Sequence, residues 1–260
     1  MTTSHRPADA ANVITTSASD PAAEREIFER DGVVRWDNVL TPAEVVELGE
    51  SMERVFYQEG RRGQGVLDLS ETKANPNDEA LLQKIGIWEN DPVCEKQIRR
   101  PDIVPRVEAL LGGPVRLFRD HSFYKPAGKG EASRLVLHQD NRYWHLDPPD
   151  AVTIWMALDD GSVENGCLQY VKGSHRRGRV EHVRPEEGAV LLEAVNDREL
   201  VPSPIPAGSA LVHSINTLHG SGPNLTDRPR RSYSLVFVRD YVTVRGRPMT
   251  EYPLAADLIR

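Results

Sequence analysis

From Pro114 onward the sequence consists of short segments typical of strands, separated by turns, and seven such segments can be distinguished. They are residues 115–124, 133–140, 151–158, 167–171, 189–194, 209–215 and 231–240. Segments of this length between Gly-, Pro- and Asn-rich stretches are typical of β-strands, and Asn165-Gly166 is a strong signal for a tight turn. Such a series buries its apolar faces when two sheets pack together. We therefore predict a mainly β fold with flanking helices, whose core over 114–240 is a double-stranded β-helix, a jelly roll of the cupin-like kind.

Helical patterns precede this β-rich part. Helices are predicted over 21–30, 41–59, 78–86 and 101–111, and a first strand over 32–36. Asp20 and Thr41 each precede a proline, which is the pattern of an N-cap followed by the first helical residue. Residues 1–20 are polar and without periodicity, so a disordered tail is expected there, whereas 60–80 are expected to form a long surface loop that could act as a lid. The chain from 21 to 260 is thus predicted to be a single domain with a helical part over 21–113.

Composition excludes several classes of partner. The 260 residues carry a formal net charge of −7, which argues against nucleic acid or an anionic membrane as the main partner. No apolar run approaches the roughly 20 residues that span a bilayer, and the first residues do not resemble a secretory leader. The two cysteines form no framework, so a reducing cytoplasm is the expected location. The sequence does not indicate an oligomeric state.

Two His-x-Asp pairs stand in the predicted core, and their contexts differ. His138-Gln-Asp140 closes the apolar segment 133–140, and a strand places residues i and i+2 on the same face. His145-Leu-Asp147 runs into two prolines, which interrupt regular pairing. We therefore predict that the first pair binds a metal ion and that His145 lies in a loop or at a pocket rim.

A third ligand is expected from His219, 81 residues after His138 and on a facing strand. Two imidazoles and one carboxylate on one side of a metal leave open positions, which suits non-haem Fe(II) and its use of O2. Arg230 follows as a permanent planar cation able to bind a carboxylate, which suggests a 2-oxo acid as cosubstrate, although it could also be a surface arginine. His213 is the rival distal ligand, but its apolar surroundings favour a histidine of the core.

Three blocks carry a resemblance to a known family: LHQDNRYWHLDPPDAVTIWMALDD, ENGCLQYVKGSHRRG and LHGSGPNLTDRPRRSY. Together with FERDGVV near residue 28, they resemble the phytanoyl-CoA dioxygenase family of Fe(II)/2-oxoglutarate-dependent oxygenases. The resemblance implies that iron is bound by His138, Asp140 and His219. It also implies that Arg230, rather than Arg231, binds the far carboxylate of 2-oxoglutarate.

The resemblance extends to further contacts with the cosubstrate. These are Ser221 and Trp155, and with weaker support Gln139, Lys84 and His121. Strand alternation would point Gln139 away from the metal. No catalytic residue is expected beyond the metal ligands.

The resemblance also bears on the reaction. Related halogenases replace the carboxylate ligand by a small residue, so Asp140 favours hydroxylation, desaturation, cyclisation or epimerisation, with release of succinate and CO2. The expected substrate is a small molecule of secondary metabolism, contacted by Tyr143, Trp144 and His145. Two alternatives remain: a cupin-like protein that binds metal or a small molecule without turnover, and a Zn(II) hydrolase, which would need neither O2 nor Arg230.

Overall fold

The computed structural model describes residues 14, 20–58, 60–70, 79–180, 182–183, 190–191 and 199–259. The helices in this part of the chain are α1 (Pro21–Asp31), α2 (Pro42–Phe56), α3 (Pro92–Ile98), α4 (Ile103–Leu111), α5 (Asn141–Trp144) and α6 (Ala255–Leu258). The strands are β1 (Val33–Trp36), β2 (Tyr57–Gln58), β3 (Arg61–Arg62), β4 (Leu67–Asp68), β5 (Leu82–Ile85), β6 (Val115–Lys125), β7 (Leu135–His138), β8 (Leu146–Asp147), β9 (Ala151–Ala157), β10 (Leu168–Val171), β11 (His182–Val183), β12 (Val190–Leu191), β13 (Leu200–Pro202), β14 (Ala210–Ser214), β15 (His219–Ser221), β16 (Arg230–Arg239), β17 (Thr243–Val244) and β18 (Arg247–Pro248).

Two antiparallel sheets form the centre of the fold. The larger has seven strands in the order β1-β14-β9-β16-β6-β5-β4, and the smaller has four in the order β13-β10-β15-β7. The largest apolar cluster joins one face of the larger sheet to the helices, and a second cluster joins its other face to the smaller sheet. This is the predicted jelly roll with helices on one side, so the expected fold class is confirmed.

The central strand β9 shows why its sequence reads as a continuous apolar run. All its residues are buried, because both faces of the larger sheet are covered. Ile154 and Met156 belong to the cluster under the helices, whereas Trp155 belongs to the cluster between the sheets. Thr153 lies on the same face as Trp155. The face that carries Thr153 and Trp155 is therefore the one that can contribute to a site inside the jelly roll.

The first two helices begin as predicted. The Asp20 side chain accepts a hydrogen bond from the backbone N–H of Ala22, and Thr41 forms a capping box with Glu44. Each cap satisfies backbone donors that the first turn leaves free.

Asp31 ends α1 and connects it to the smaller sheet. Its carboxylate lies 2.8 Å from Nη2 of Arg30 and 3.0 Å from Nζ of Lys172. Burial acts to raise the pKa of Asp31, but the hydrogen bonds and charges of these two cations outweigh it and hold the pKa below its usual value.

The predicted helix over 78–86 is wrong. Residues 82–85 form β5, which pairs with β6 at the edge of the larger sheet, and Gly86 follows with φ of 68°. Leu81 and Leu82 are fully buried, so both faces of this short segment are covered. A brief apolar run of this kind does not reveal its period, and here the pairing with β6 determines the structure.

Other elements differ from prediction at their ends or were missed. Helix α2 stops at Phe56 instead of 59, and the predicted loop over 60–80 contains the short strands β3 and β4. Helix α3 was missed, although Asp91 caps it and Pro92 opens it. The predicted strand over 189–194 is described only at β12, and the predicted tail only at residues 14 and 20, of which Ile14 is buried between the sheets.

No helix in the described ranges has the length and apolar character needed to cross a membrane. Both cysteines, Cys94 and Cys167, are free and buried.

Candidate metal centre

The three predicted ligands lie close together between the two sheets. One ligand atom from each of His138, Asp140 and His219 can be chosen so that all lie within 4.8 Å of one another. Nε2 of His138 is 3.5 Å from Oδ1 of Asp140, and Nε2 of His219 is 3.7 Å from the same oxygen. His138 and His219 are Cα partners across β7 and β15, so pairing of the two strands places both imidazoles on one side.

The two histidines are oriented by the same local contact. Nδ1 of His138 lies 2.9 Å from the carbonyl oxygen of Val136, and Nδ1 of His219 lies 2.9 Å from that of Thr217. A carbonyl can only accept, so each Nδ1 carries the proton and donates it. Each Nε2 is then left with a free lone pair directed at the cluster, which is the tautomer that a metal ligand requires.

Asp140 reaches the cluster by a route that differs from the prediction. Strand β7 ends at His138, and Asp140 has φ −55° and ψ −41° at the start of α5. The helical turn, rather than strand alternation, carries its carboxylate beside the two imidazoles. Burial acts to raise the pKa of Asp140, but the surrounding imidazoles, His219 foremost, hold it well below its usual value.

The second carboxylate oxygen of Asp140 is held from the larger sheet. The hydroxyl of Thr153 donates a hydrogen bond of 2.7 Å to Oδ2. Nε2 of His213 lies 3.4 Å from Oδ2 without the alignment of a hydrogen bond, and its Nδ1 is 2.9 Å from the hydroxyl of Tyr170. Oδ1 thus remains available to a metal, while Oδ2 is fixed on the protein side. Thr153 was not predicted as a site residue, and His213 was predicted only as a core residue or a rival ligand.

A cavity opens beside the cluster, and Arg230 lines it together with the three expected ligands. Arg230 is only 2% exposed, and its Nε and Nη1 have no hydrogen-bond partner in the described residues. Its guanidinium carbon lies 5.2 Å from the centre of the Trp155 ring. Burial lowers the pKa of Arg230 to about 10, so the group is still a cation at neutral pH. The buried hydroxyl of Ser221 also lacks a partner and lines the same cavity.

Hydrogen bonds from the side chains of Lys125 and Asn224 fix the segment that follows His219 and Ser221. The buried Lys125, which is the Cα partner of Arg230 across β6 and β16, donates a hydrogen bond to the carbonyl of Gly222. Burial lowers the pKa of Lys125 well below its usual value. The side chain of Asn224 donates to three backbone carbonyls of the neighbouring loop. These contacts explain the need for a short polar motif, Gly-Ser-Gly-Pro-Asn, directly after the distal histidine.

Two residues expected to touch the cosubstrate do not lie in the cavity. Lys84 stands on the edge strand β5, and its Nζ donates a 2.8 Å hydrogen bond to the carbonyl of Gln64. The side chain of Gln139 points away, as alternation suggested, and its amide donates to the carbonyls of Gly178 and Asn216. The structure therefore gives Lys84 and Gln139 contacts that fix loops around the site.

The remaining expected residues surround the centre. His121 lines the cavity, and burial lowers its pKa to about 4, so it is neutral at pH 7. Tyr143 is half exposed, with its ring centre 5.9 Å from that of His138, and Trp144 packs against Phe118. His145 ends α5 in the left-handed region and does not line the cavity.

The arrangement fits a divalent iron and a diacid. Two neutral imidazoles and one carboxylate offer a metal three donors from one side, the set that leaves positions open on Fe(II). In the same cavity, a buried guanidinium with unused donors matches a carboxylate. A jelly roll with these two features defines the Fe(II)/2-oxoglutarate-dependent dioxygenases, and the chain is an enzyme of this class.

Comparison with known proteins gives the family. The sequence profile of the family "Phytanoyl-CoA dioxygenase (PhyH)" matches residues 28–232, and the chain belongs to this family, as the sequence motifs indicated. It is 28% identical to an L-proline trans-4-hydroxylase of Streptomyces griseoviridis over 90% of this chain and 92% of the relative. It is 25% identical to the peroxisomal phytanoyl-CoA dioxygenase of Homo sapiens over 86% of this chain and 70% of that protein.

A solved structure resembles the chain over nearly its whole length. The epimerase SnoN, in complex with Fe3+, alpha ketoglutarate and nogalamycin RO, superposes with a TM-score of 0.71 at 25% identity, covering 91% of this chain and 100% of SnoN. The neighbours bind iron and 2-oxoglutarate, so Fe(II), 2-oxoglutarate and O2 are the cofactors and cosubstrates of this class of enzyme.

Proposed function

We propose that His138, Asp140 and His219 hold Fe(II), and that Arg230 and Ser221 bind the far carboxylate of 2-oxoglutarate. On this basis the enzyme oxidises a small molecule in secondary metabolism, in the reducing cytoplasm. Hydroxylation is the primary outcome, and desaturation, cyclisation or epimerisation are variants of the same oxidation.

The buried, unpaired guanidinium of Arg230 carries this proposal. A charge removed from water is costly unless it is paired, and Arg230 lacks a partner among the described residues. It lies in the same cavity as the three metal-binding candidates and over the ring of Trp155. A Zn(II) hydrolase would give this arginine no role, whereas a diacid bound between it and the metal pairs its charge.

Each residue then has a physical task. The bound iron with 2-oxoglutarate and O2 supplies the oxidising chemistry. The carbonyl contacts of His138 and His219 keep both rings in the tautomer that binds metal, and Thr153 fixes the carboxylate of Asp140. The buried walls exclude water and hold the reacting groups in place.

The choice of a small molecule is supported by the relatives. The L-proline hydroxylase and the nogalamycin epimerase both act on small molecules according to their names. A carbocyclase from nogalamycin biosynthesis, SnoK, also superposes with a TM-score of 0.70 at 26% identity over 87% of this chain and 86% of SnoK. This range of oxidative outcomes on one fold is the reason that the proposal keeps the variants open.

The test is anaerobic titration of the metal-free protein with Fe(II) and then 2-oxoglutarate, with the visible metal-to-ligand charge-transfer band as readout. We expect a band in the wild type, a weaker band in Arg230→Ala at the same 2-oxoglutarate concentration, and none in His219→Ala. Arg231→Ala is the matched control, because the neighbouring arginine is paired with Asp159 and should leave the band intact.

Two results would contradict the proposal. Tight metal binding without a band in the wild type would favour a hydrolase or a binding protein without turnover. A band equally affected in the Arg230 and Arg231 variants would show that the 2-oxoglutarate contact lies elsewhere.

A further inference from the structure

A second cation, Arg119, lies beside the cavity and away from Arg230, although it is not one of the residues that line the cavity. Arg119 stands on β6 two residues before His121, and alternation along the strand gives both the same face, which looks into the jelly roll. Its guanidinium carbon is 4.3 Å from the ring centre of Phe118 and 5.4 Å from that of Trp144. Trp144 ends the short helix that starts directly after Asp140, so Arg119 is on the metal side of the cavity.

Arg119 and Arg230 are too far apart to share one small diacid. Arg230 is opposite Lys125 in the register of β6 and β16, and Arg119 is opposite Val236. Six residues of strand separate Arg119 from Lys125, which corresponds to roughly 20 Å. A 2-oxoglutarate held by Arg230 therefore leaves Arg119 unoccupied.

Arg119 has no hydrogen bond or ion pair among the residues that the structure describes, and its Nε is buried without an acceptor. Burial lowers its pKa, and the nearby Tyr252 and Asp140 act against that effect. The oxygens of Asp140 have other roles, because Oδ2 accepts from Thr153 and Oδ1 faces the two ligand histidines.

The charges of the assembled site point to an anion at this position. The charges of Fe(II) and Arg230 are balanced by Asp140 and the doubly negative 2-oxoglutarate. Arg119 is partly buried, and its positive charge then has no ion-pair partner among the described residues, which leaves it available to an anionic group of a substrate. The guanidinium carbon lies near the rings of Phe118 and Trp144, and the N–H groups of the guanidinium can donate two parallel hydrogen bonds to a carboxylate.

We propose that Arg119 binds a carboxylate of the primary substrate and so positions a neighbouring carbon at the metal. The enzyme would then select small carboxylic acids over their neutral analogues. This inference rests on the proposed function, because it assumes that 2-oxoglutarate occupies the Arg230 end of the cavity.

The experiment uses the anaerobic complex of the full chain with Fe(II) and 2-oxoglutarate. A panel of amino acids, hydroxy acids and aromatic acids, each paired with its primary carboxamide and beginning with L-proline and L-prolinamide, is titrated while the charge-transfer band is followed. Binding beside the metal shifts this band. Wild type is compared with Arg119→Gln, with Arg119→Lys, and with Arg142→Gln, which removes a neighbouring cation whose guanidinium carbon lies 5.9 Å from the Tyr143 ring centre.

We expect acids to shift the band and their amides to bind about 10- to 100-fold more weakly, the effect of losing charged hydrogen bonds. Arg119→Gln should weaken the acids by a similar factor and leave the amides and the initial 2-oxoglutarate band unchanged. Arg119→Lys should be intermediate because it keeps the charge but loses the planar fork. Arg142→Gln should resemble the wild type.

The inference is overturned if amides bind as well as acids, if no acid shifts the band, or if Arg142→Gln rather than Arg119→Gln causes the loss. A wild-type complex without any charge-transfer band would instead mean that the proposed function has failed. The first titration step therefore separates the two failures.

Discussion

Replacing Arg230 by methionine should make the cosubstrate-free protein more stable. Burial lowers the pKa of Arg230 from 12.5 to about 10, and a lowering of this size corresponds to a cost of about 3 kcal/mol for keeping the cation in the folded protein. Loss of the contact with Trp155 offsets about 1 kcal/mol of the gain. We therefore expect Arg230→Met to raise the free energy of unfolding by about 2 kcal/mol at pH 7 in the presence of a chelator.

The direction of this stability change follows from the difference between the pKa of Arg230 in the folded and unfolded states. The folded pKa of this base lies below the unfolded one, so the cost of the buried charge is fully present at pH 7 and falls as the pH rises through about 10. Adding 2-oxoglutarate should make the wild type more stable than Arg230→Met. Compared with the same proteins in the divalent metal alone, 2-oxoglutarate at about 100 times the wild-type dissociation constant should stabilise the wild type by about 2.7 kcal/mol and Arg230→Met by much less.

The neighbouring Arg231 provides the matched control. Its guanidinium donates to Asp159 at 2.7 Å and to Glu53 at 3.2 Å, so Arg231→Met leaves a carboxylate without its partner. We expect this variant to be destabilised by about 2 kcal/mol and to keep its response to 2-oxoglutarate. The assay is urea unfolding followed by circular dichroism, with and without metal and 2-oxoglutarate. If both variants lost the same stability in chelator, Arg230 would be a paired structural residue and the reasoning would be refuted.

Three further substitutions test residues that hold the metal-binding candidates or the surrounding elements in place. Thr153→Val should raise the Fe(II) dissociation constant about tenfold, measured by competition with a chelator, because Oδ2 of Asp140 loses its donor; an unchanged constant would contradict this. Gly220→Ala would place a Cβ 2.7 Å from a backbone carbonyl of β7 and should cost about 2 kcal/mol in urea unfolding, whereas Gly222→Ala, with its nearest contact at 3.5 Å, should cost less. Asp31→Asn should lower stability by about 1 kcal/mol at pH 7, with the difference disappearing as the pH falls through the lowered pKa of Asp31; a difference that persists at pH 2 would show that charge is not the cause.

The long elements of the fold were predictable because their patterns are local. Strands β6, β9 and β16 are each seven residues or longer, and the cap residues Asp20 and Thr41 mark the starts of the first two helices. β5 was not predictable in this way. Its four residues become a strand because β6 presents an open edge beside them, which is a property of the folded sheet and not of the segment.

The metal-binding candidates were found for a similar reason. His138, Asp140 and His219 belong to motifs that can be read in sequence order. The prediction reached Asp140 through strand alternation, whereas in the structure a helical turn carries it. Lys84 was carried over from the resemblance, and its contact with the cosubstrate stays a prediction; in the structure the edge strand that holds it directs its amine to the carbonyl of Gln64.

Thr153 and His213 could not have been assigned from the sequence. They are Cα partners in the register of β9 and β14, and both approach Oδ2 of Asp140, which is 13 residues from one and 73 from the other. Sixty residues separate the two in the chain, and a shift of one residue in the pairing would turn either side chain to the opposite face. From the sequence, His213 was considered only as a residue of the core or as a rival metal ligand. Its observed position corresponds to a third role. The register of β9 and β14 places it beside Oδ2 of Asp140, the oxygen that accepts a hydrogen bond from Thr153, and Tyr170 fixes its orientation.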